Sequence, residues 1–273
     1  MSSHTGTVTR SRYTHGHHES VLRSHRWRTA GNSAAYLSPH LAPGLCLLDV
    51  GCGAGTLTAD LARLVSPGRV TAVEASQAVL DLARREAADR GVSIDFLVAD
   101  VHALDLPDAS YDVVHAHQVL QHLADPVGAL REMRRVCRPG GIVAARDSDF
   151  AAFAWYPAVP ALDEWLALYR RVVRGNGGEP DAGRRLLSWA RAAGFTDITP
   201  SASVWCFATP DDRRWWGESW ARRIVESDLA GQAVAAGAAT PADLAQIAEG
   251  WLGWADADDG WFAVVHGEIL ARA

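Results

Sequence analysis

Two rhythms of apolar and polar positions alternate along the first half of the chain. Short, mostly apolar runs at 45–50, 69–74, 93–99, 111–117 and 142–146 read as strands. Between them, apolar residues recur near the helical period. These segments predict helices over 56–65, from Ser76 as N-cap to Gly91, and from the cap Asp125-Pro126 through Val136. The strand runs are apolar on both sides, as in parallel strands covered by helices on each face. Strands and helices alternating at this spacing predict an α/β fold, a doubly wound, mostly parallel sheet.

After Asp149 the rhythm breaks. A helix is expected over 160–174, a second one capped by Asp181 and closed by Gly194, and a sixth strand over 196–209. Thr209-Pro210 and Thr240-Pro241 open two further helices, separated by a soft alanine and glycine linker at 230–239. A terminal strand at 261–270 brings the sheet to seven strands. The expected organisation is a flexible arm (1–18), a helical lid (19–44) that Gly31 divides, and a ligand-binding core (45–149). A cap insertion (150–180), a core helix and strand (181–209), a helical cap insertion (210–258) and the terminal strand (259–273) follow.

Composition narrows the chemistry. All 26 basic residues are arginine, so a Walker lysine and a Schiff-base lysine are excluded. The net charge of −6 disfavours a nucleic-acid partner. No apolar run approaches the roughly 20 residues of a membrane span, and no apolar leader follows Met1, so a cytoplasmic location is expected. Four scattered cysteines contain no C-x-x-C, so neither a disulfide framework nor a metal site is expected. Ten of the eleven tryptophans follow Phe150, which assigns the second half a different task from the first.

The first strand runs into Asp49-x-Gly51-x-Gly53-x-Gly55 and then a helix. Such a turn brings backbone N–H groups and a helix N-terminus to a ligand. Its spacing is not the G-x-G-x-x-G of dinucleotide binding. Glu74 ends the second strand, Asp100 the third, and His117-Gln118 the fourth. Strand ends line the ligand crevice of an open parallel sheet. There, an acid after the second strand can accept both ribose hydroxyls, and one after the third an exocyclic amino group of a purine.

Several segments together resemble the class I S-adenosylmethionine-dependent methyltransferases of the UbiE-like, small-molecule group, also called methyltransferase type 11. They are 48–58, Val73-Glu74-Ala75-Ser76, Ala99-Asp100-Val101, 108–114, 119–126 and 129–141. The resemblance implies the Rossmann-like sheet of that class with S-adenosylmethionine as cofactor. It places Gly51, Gly53 and Gly55 against the methionine portion and Asp49 near the amino group through water. Glu74, with Ala75 beside it, would meet the ribose. Asp100 and the Val101 N–H would meet the adenine, and the His117 backbone the amino group. Tyr13 and Arg28 are candidates for the methionyl carboxylate, which suits a bidentate guanidinium.

Methyl transfer is an in-line displacement that needs alignment above all. A base is required only for a protonated nucleophile; His122 and His18 are the candidates. No Asn/Asp-Pro-Pro motif follows strand four, so the implied substrate is a small aromatic or lipophilic metabolite, with Trp155, Trp215 and Trp216 as its wall. A methyltransferase-fold enzyme that does not transfer methyl, such as a cyclase, stays open. A nicotinamide dehydrogenase conflicts with the glycine spacing. A homodimer also stays open.

Overall fold

The computed structural model describes Thr14 and residues 24–273. Five strands, β1 (Leu47–Val50), β2 (Val70–Glu74), β3 (Asp95–Val98), β4 (Tyr111–His117) and β5 (Cys137–Ser148), pair in parallel in the order β3-β2-β1-β4-β5. The last strand, β8 (Trp261–Arg272), is antiparallel to β5. β7 (Ile198–Phe207) pairs along most of β8.

The sheet has eight strands rather than seven. The additional strand, β6 (Ala154–Tyr156), pairs with Ala263, Phe262 and Trp261 of β8. Since β7 already occupies one edge of β8 there, β6 extends the edge that β5 holds further along. Trp155 fixes it by stacking on Phe262 at 5.7 Å.

Alternate residues of the central strands serve opposite layers, which is why these strands read as unbroken apolar runs. On one face, Leu47, Val113 and Ala144 pack with Leu57, Leu61 and Val65 of α2 (Thr56–Val65). On the other, Leu48, Val114 and Ala145 pack with Leu130 and Met133 of α4 (Pro126–Val136), and with Leu186 and Ala190 of α6 (Leu186–Ala192). Between them in sequence, α3 (Gln77–Asp89) sets Leu80 and Ala83 against Ala72 of β2.

Local capping chemistry sets several boundaries. Ser76 accepts from Val79 N at the start of α3. Asp125 accepts from Gly128 N ahead of Pro126 in α4. Thr209 and Thr240 cap α7 (Pro210–Glu226) and α9 (Pro241–Asp256), each followed by proline.

Three expectations are corrected. The stretch read as a linker contains a helix, α8 (Asp228–Ala235), with Leu229, Ala230 and Ala233 buried. Its small residues give little polar contrast but pack closely. Asp181 does not cap α6; its carboxylate accepts from Arg170, Arg174 and Ala151 N, joining the loop to α5 (Pro160–Gly175). Gly31 does not divide the N-terminal segment. Residues 24–26 are helical, the break falls at Trp27 and Arg28, and Gly31 lies inside α1 (Ala30–Ser33). A reciprocal cap between Thr29 and Asn32 starts that short helix.

Helices α5, α7, α8 and α9 form a second core against β7 and β8. Trp165, Trp216, Trp220, Trp251 and Trp254 join Phe207, Phe262 and Val264 there. Trp165, Trp251 and Trp254 are wholly buried, so much of the tryptophan excess is packing.

Candidate functional site

A cavity of about 740 Å³ opens at the C-terminal ends of β1, β2 and β4 and continues under the helical cap. Its floor is the glycine turn. Gly51, Gly53 and Gly55 all have left-handed backbones, with φ of 68°, 53° and 84°. Their roles differ. A Cβ on Gly51 would overlap the Val119 side chain, and one on Gly55 would meet Ala83 at 2.9 Å. Those two glycines answer to the protein's own packing, and Gly55 is not part of the cavity wall. Gly53 alone faces open space: its nearest neighbour would be His25 Nδ1 at 3.5 Å.

Asp49 lines the cavity, yet both its carboxylate oxygens are committed inward. Oδ1 accepts from His115 Nδ1 at 2.8 Å and Oδ2 from Thr58 Oγ1 at 2.6 Å. Asp49 therefore ties β1 to β4 and α2 beneath the turn. Glu74 stands at the mouth, where it gathers three N–H donors: Gly53 N at 3.3 Å, Ala75 N at 2.8 Å and Ser76 N at 3.3 Å. Asp100 Oδ1 accepts from His102 N at 2.9 Å. Ala75, Asp100 and the buried Val101 line the same cavity.

The N-terminal segment roofs the crevice. Thr56 Oγ1 donates to His25 O at 3.0 Å, and Ala30 N donates to Asp60 at 3.0 Å. Trp205 Nε1 donates to Asn32 O. Arg28 reaches over β4 and donates to Gln118 Oε1 at 2.6 Å. Gln118 sits at φ 54°, which turns its side chain into this network. With its carbonyl committed to Arg28, its amide nitrogen faces Ser148 Oγ at 3.0 Å and His266 Nε2 at 2.9 Å. Tyr13 and His18 lie outside the described residues.

The far wall is aromatic: Trp27, Trp205, Trp215, Trp216, Trp220, Phe150 and Phe153. Trp27 meets Trp205 edge-on at 5.0 Å and lies 5.5 Å from Trp215, so the roof and the cap share one ring cluster. Trp215 and Trp216 stand where expected, but Trp155 does not. It lies against Phe262 in β6 and is not part of the wall. Trp27, Trp205 and Trp220 belong to the wall without having been expected there. Trp27 has one legible signal: it is the only tryptophan ahead of Phe150.

Two histidines of the cavity differ in availability. His122 is half-buried, and its removal from water, with Arg28 nearby, pushes it down to about 3. Gln121 Oε1 accepts from Ser148 N at 3.1 Å, so its amide nitrogen is the atom facing His122 Nε2 at 3.0 Å. His122 Nε2 must then be the acceptor, and this hydrogen bond uses the lone pair a base would need. His117 is buried, and lies well below its ordinary value through burial and then Arg28. Among the described residues neither of its ring nitrogens has a hydrogen-bond partner. Behind the site, burial pushes the Asp147 carboxyl up to about 7. Its Oδ1 accepts from Gln121 N at 3.1 Å and so holds the turn that carries His122.

Residues 48–145 match the family model described as a methyltransferase domain. Over 270 residues, 95% of this chain and 96% of the relative, the sequence is 34% identical to an uncharacterized methyltransferase of Schizosaccharomyces pombe. The chain belongs to the methyltransferase family. Its cofactor is S-adenosylmethionine. A shorter stretch, 45% of this methyltransferase and 48% of the relative, is 39% identical to a ubiquinone biosynthesis O-methyltransferase of Methylocella silvestris. Among solved structures, the [4+2]-cyclase SpnF superposes with a TM-score of 0.51 at 25% identity, covering 90% of this chain and 79% of that one. The open face at Gly53 and the carboxylate at Glu74 fit the donor's amino-acid and ribose parts, which need space and acceptors respectively. Among the described residues no cluster of three or more His, Cys, Asp or Glu side chains could hold a metal ion. No described helix is long and apolar enough to cross a membrane.

Proposed function

We propose that this methyltransferase moves the methyl group of S-adenosylmethionine to a small aromatic or lipophilic metabolite. One observation supports the reading above all: the glycine turn and the tryptophan wall belong to one continuous cavity of about 740 Å³. That size holds two small molecules side by side, within the usual range of ligand pockets. The bound donor supplies an electrophilic sulfonium methyl. The chain's own residues supply alignment and water exclusion, the main needs of an in-line displacement. Glu74 would hold the ribose hydroxyls, Asp100 and Val101 N–H the adenine, and Arg28 the methionyl carboxylate. Trp27, Trp205, Trp215 and Trp216 would give a planar acceptor an apolar wall to lie against.

A second reading is favoured by the likeness to the SpnF cyclase: a methyltransferase-fold enzyme that binds the donor without spending it. One experiment separates them. The enzyme is incubated with donor labelled in its methyl group and a panel of hydroxylated aromatic compounds, then the products are examined by mass spectrometry. Label in a product, with matching S-adenosylhomocysteine, supports methyl transfer. An isomerised compound with the donor unchanged supports the cyclase-type reading.

A further inference from the structure

The seam between the two halves of the cavity holds a buried imidazole whose ring is uncommitted among the described residues. His117 closes β4, is 5% exposed, and lines the cavity. The other buried histidines described each have a ring nitrogen engaged: His115 with Asp49, and His266 with the Gln118 amide. The half-buried His122 accepts from Gln121. The His117 ring lies tilted against Trp205 of the aromatic wall at 5.9 Å and stacks on His266 at 6.3 Å. The groups that act on it are Arg28 from the roof, Arg146 from β5, His266 from β8 and His115 from β4 itself. The largest of these effects all disfavour the imidazolium, so the ring is held neutral. A neutral imidazole offers one lone pair and one N–H.

We propose that His117 is the proton acceptor for a hydroxyl-bearing substrate, which makes the reaction an O-methylation. This rests on the methyltransferase reading of the same cavity. The acceptor's O–H bond breaks with its proton passing to a His117 ring nitrogen. The freed oxygen pair forms the O–C bond to the donated methyl, whose former bonding pair leaves with sulfur. Oxygen becomes acidic as the new bond forms, so a weakly basic ring suffices at that moment. The charge of Arg28, on the cavity wall, favours negative character on that oxygen. The imidazolium then returns its proton to water.

The test follows methyl transfer from S-adenosylmethionine to 4-nitrophenol, at about pH 6, where the free probe is mostly protonated, and at about pH 9, where it is phenolate. Wild type is compared with His117→Gln and His117→Phe, both of which retain the backbone at 117. Cooperative thermal melting reports that each variant is folded, and calorimetry reports whether it binds S-adenosylhomocysteine. The expected result is a loss of tenfold or more in kcat/KM in both variants at about pH 6, shrinking towards wild type at about pH 9, where the probe enters already ionised. Unchanged rates in both variants, equal losses at both pH values, or no methylation of the probe by wild type would overturn the inference. So would loss of S-adenosylhomocysteine binding in both variants, which would place the ring in the cofactor subsite. If wild type itself binds no S-adenosylhomocysteine, the methyltransferase reading fails first, and this inference with it.

Discussion

Asp49 and His115 form a buried pair at 2.8 Å beneath the glycine turn, with side chains 4% and 0% exposed. The acid that begins the glycine motif thereby holds β1 to β4. Thr58 takes its other oxygen. Asp49→Ala would strand both donors in the interior. A destabilisation of about 2–4 kcal/mol is expected, read as a fall in Tm with S-adenosylhomocysteine absent. Saturating ligand should restore part of it, because the turn remains available in the folded fraction.

The three glycines separate into two kinds. Gly55→Ala places a methyl at 2.9 Å from Ala83 on a left-handed backbone, so a loss of about 2–4 kcal/mol is expected. Gly53→Ala meets nothing closer than 3.5 Å and should cost about 1–2 kcal/mol, from backbone strain alone. Chemical denaturation of the two variants checks the difference. Equal losses would mean that the turn is shaped by strain rather than by its neighbours.

Glu74 is only partly buried and its partners are backbone amides at the cavity mouth. Glu74→Ala should leave stability within about 1 kcal/mol of wild type. Affinity for S-adenosylhomocysteine should fall tenfold or more, about 1.4 kcal/mol or above. Calorimetry on the variant measures both affinity and folded fraction.

Much of this site is legible in the amino-acid sequence alone. The turn, the three strand-end acids and the N-caps at Ser76, Asp125, Thr209 and Thr240 are local signals, readable from neighbours along the chain. The inner commitment of Asp49 is not, because its partner His115 arrives from another strand. Trp155 and Trp205 look alike in sequence, and only the path of β6 and β7 along β8 decides which ring reaches the cavity. The helix at Asp228–Ala235 is hidden for another reason: alanine and glycine carry too little contrast to show a face.

Asp147 makes stability depend on pH. Its carboxyl is raised in the fold to about 7 from an ordinary 3.8, chiefly by burial. The protonated form is therefore favoured in the folded state. Its contribution is fully present below about pH 3.8 and is lost as pH rises towards 7. The loss is on the order of 2–4 kcal/mol. Asp147→Asn removes this ionisation. The Tm of the variant minus that of wild type should grow between about pH 4 and pH 7, then level off. A constant difference across that range would contradict burial as the cause.

The central claim, that the turn at Gly53 is the floor of the S-adenosylmethionine site, is tested most directly by calorimetry on Gly53→Asn. Asparagine tolerates a left-handed backbone, so the turn survives while its side chain enters the crevice. Wild type should bind S-adenosylhomocysteine saturably and ignore NADH. Gly53→Asn should melt cooperatively near the wild-type Tm and bind S-adenosylhomocysteine at least about a hundredfold more weakly, about 2.7 kcal/mol. Unchanged binding by the variant, or a preference of wild type for NADH, would contradict the account.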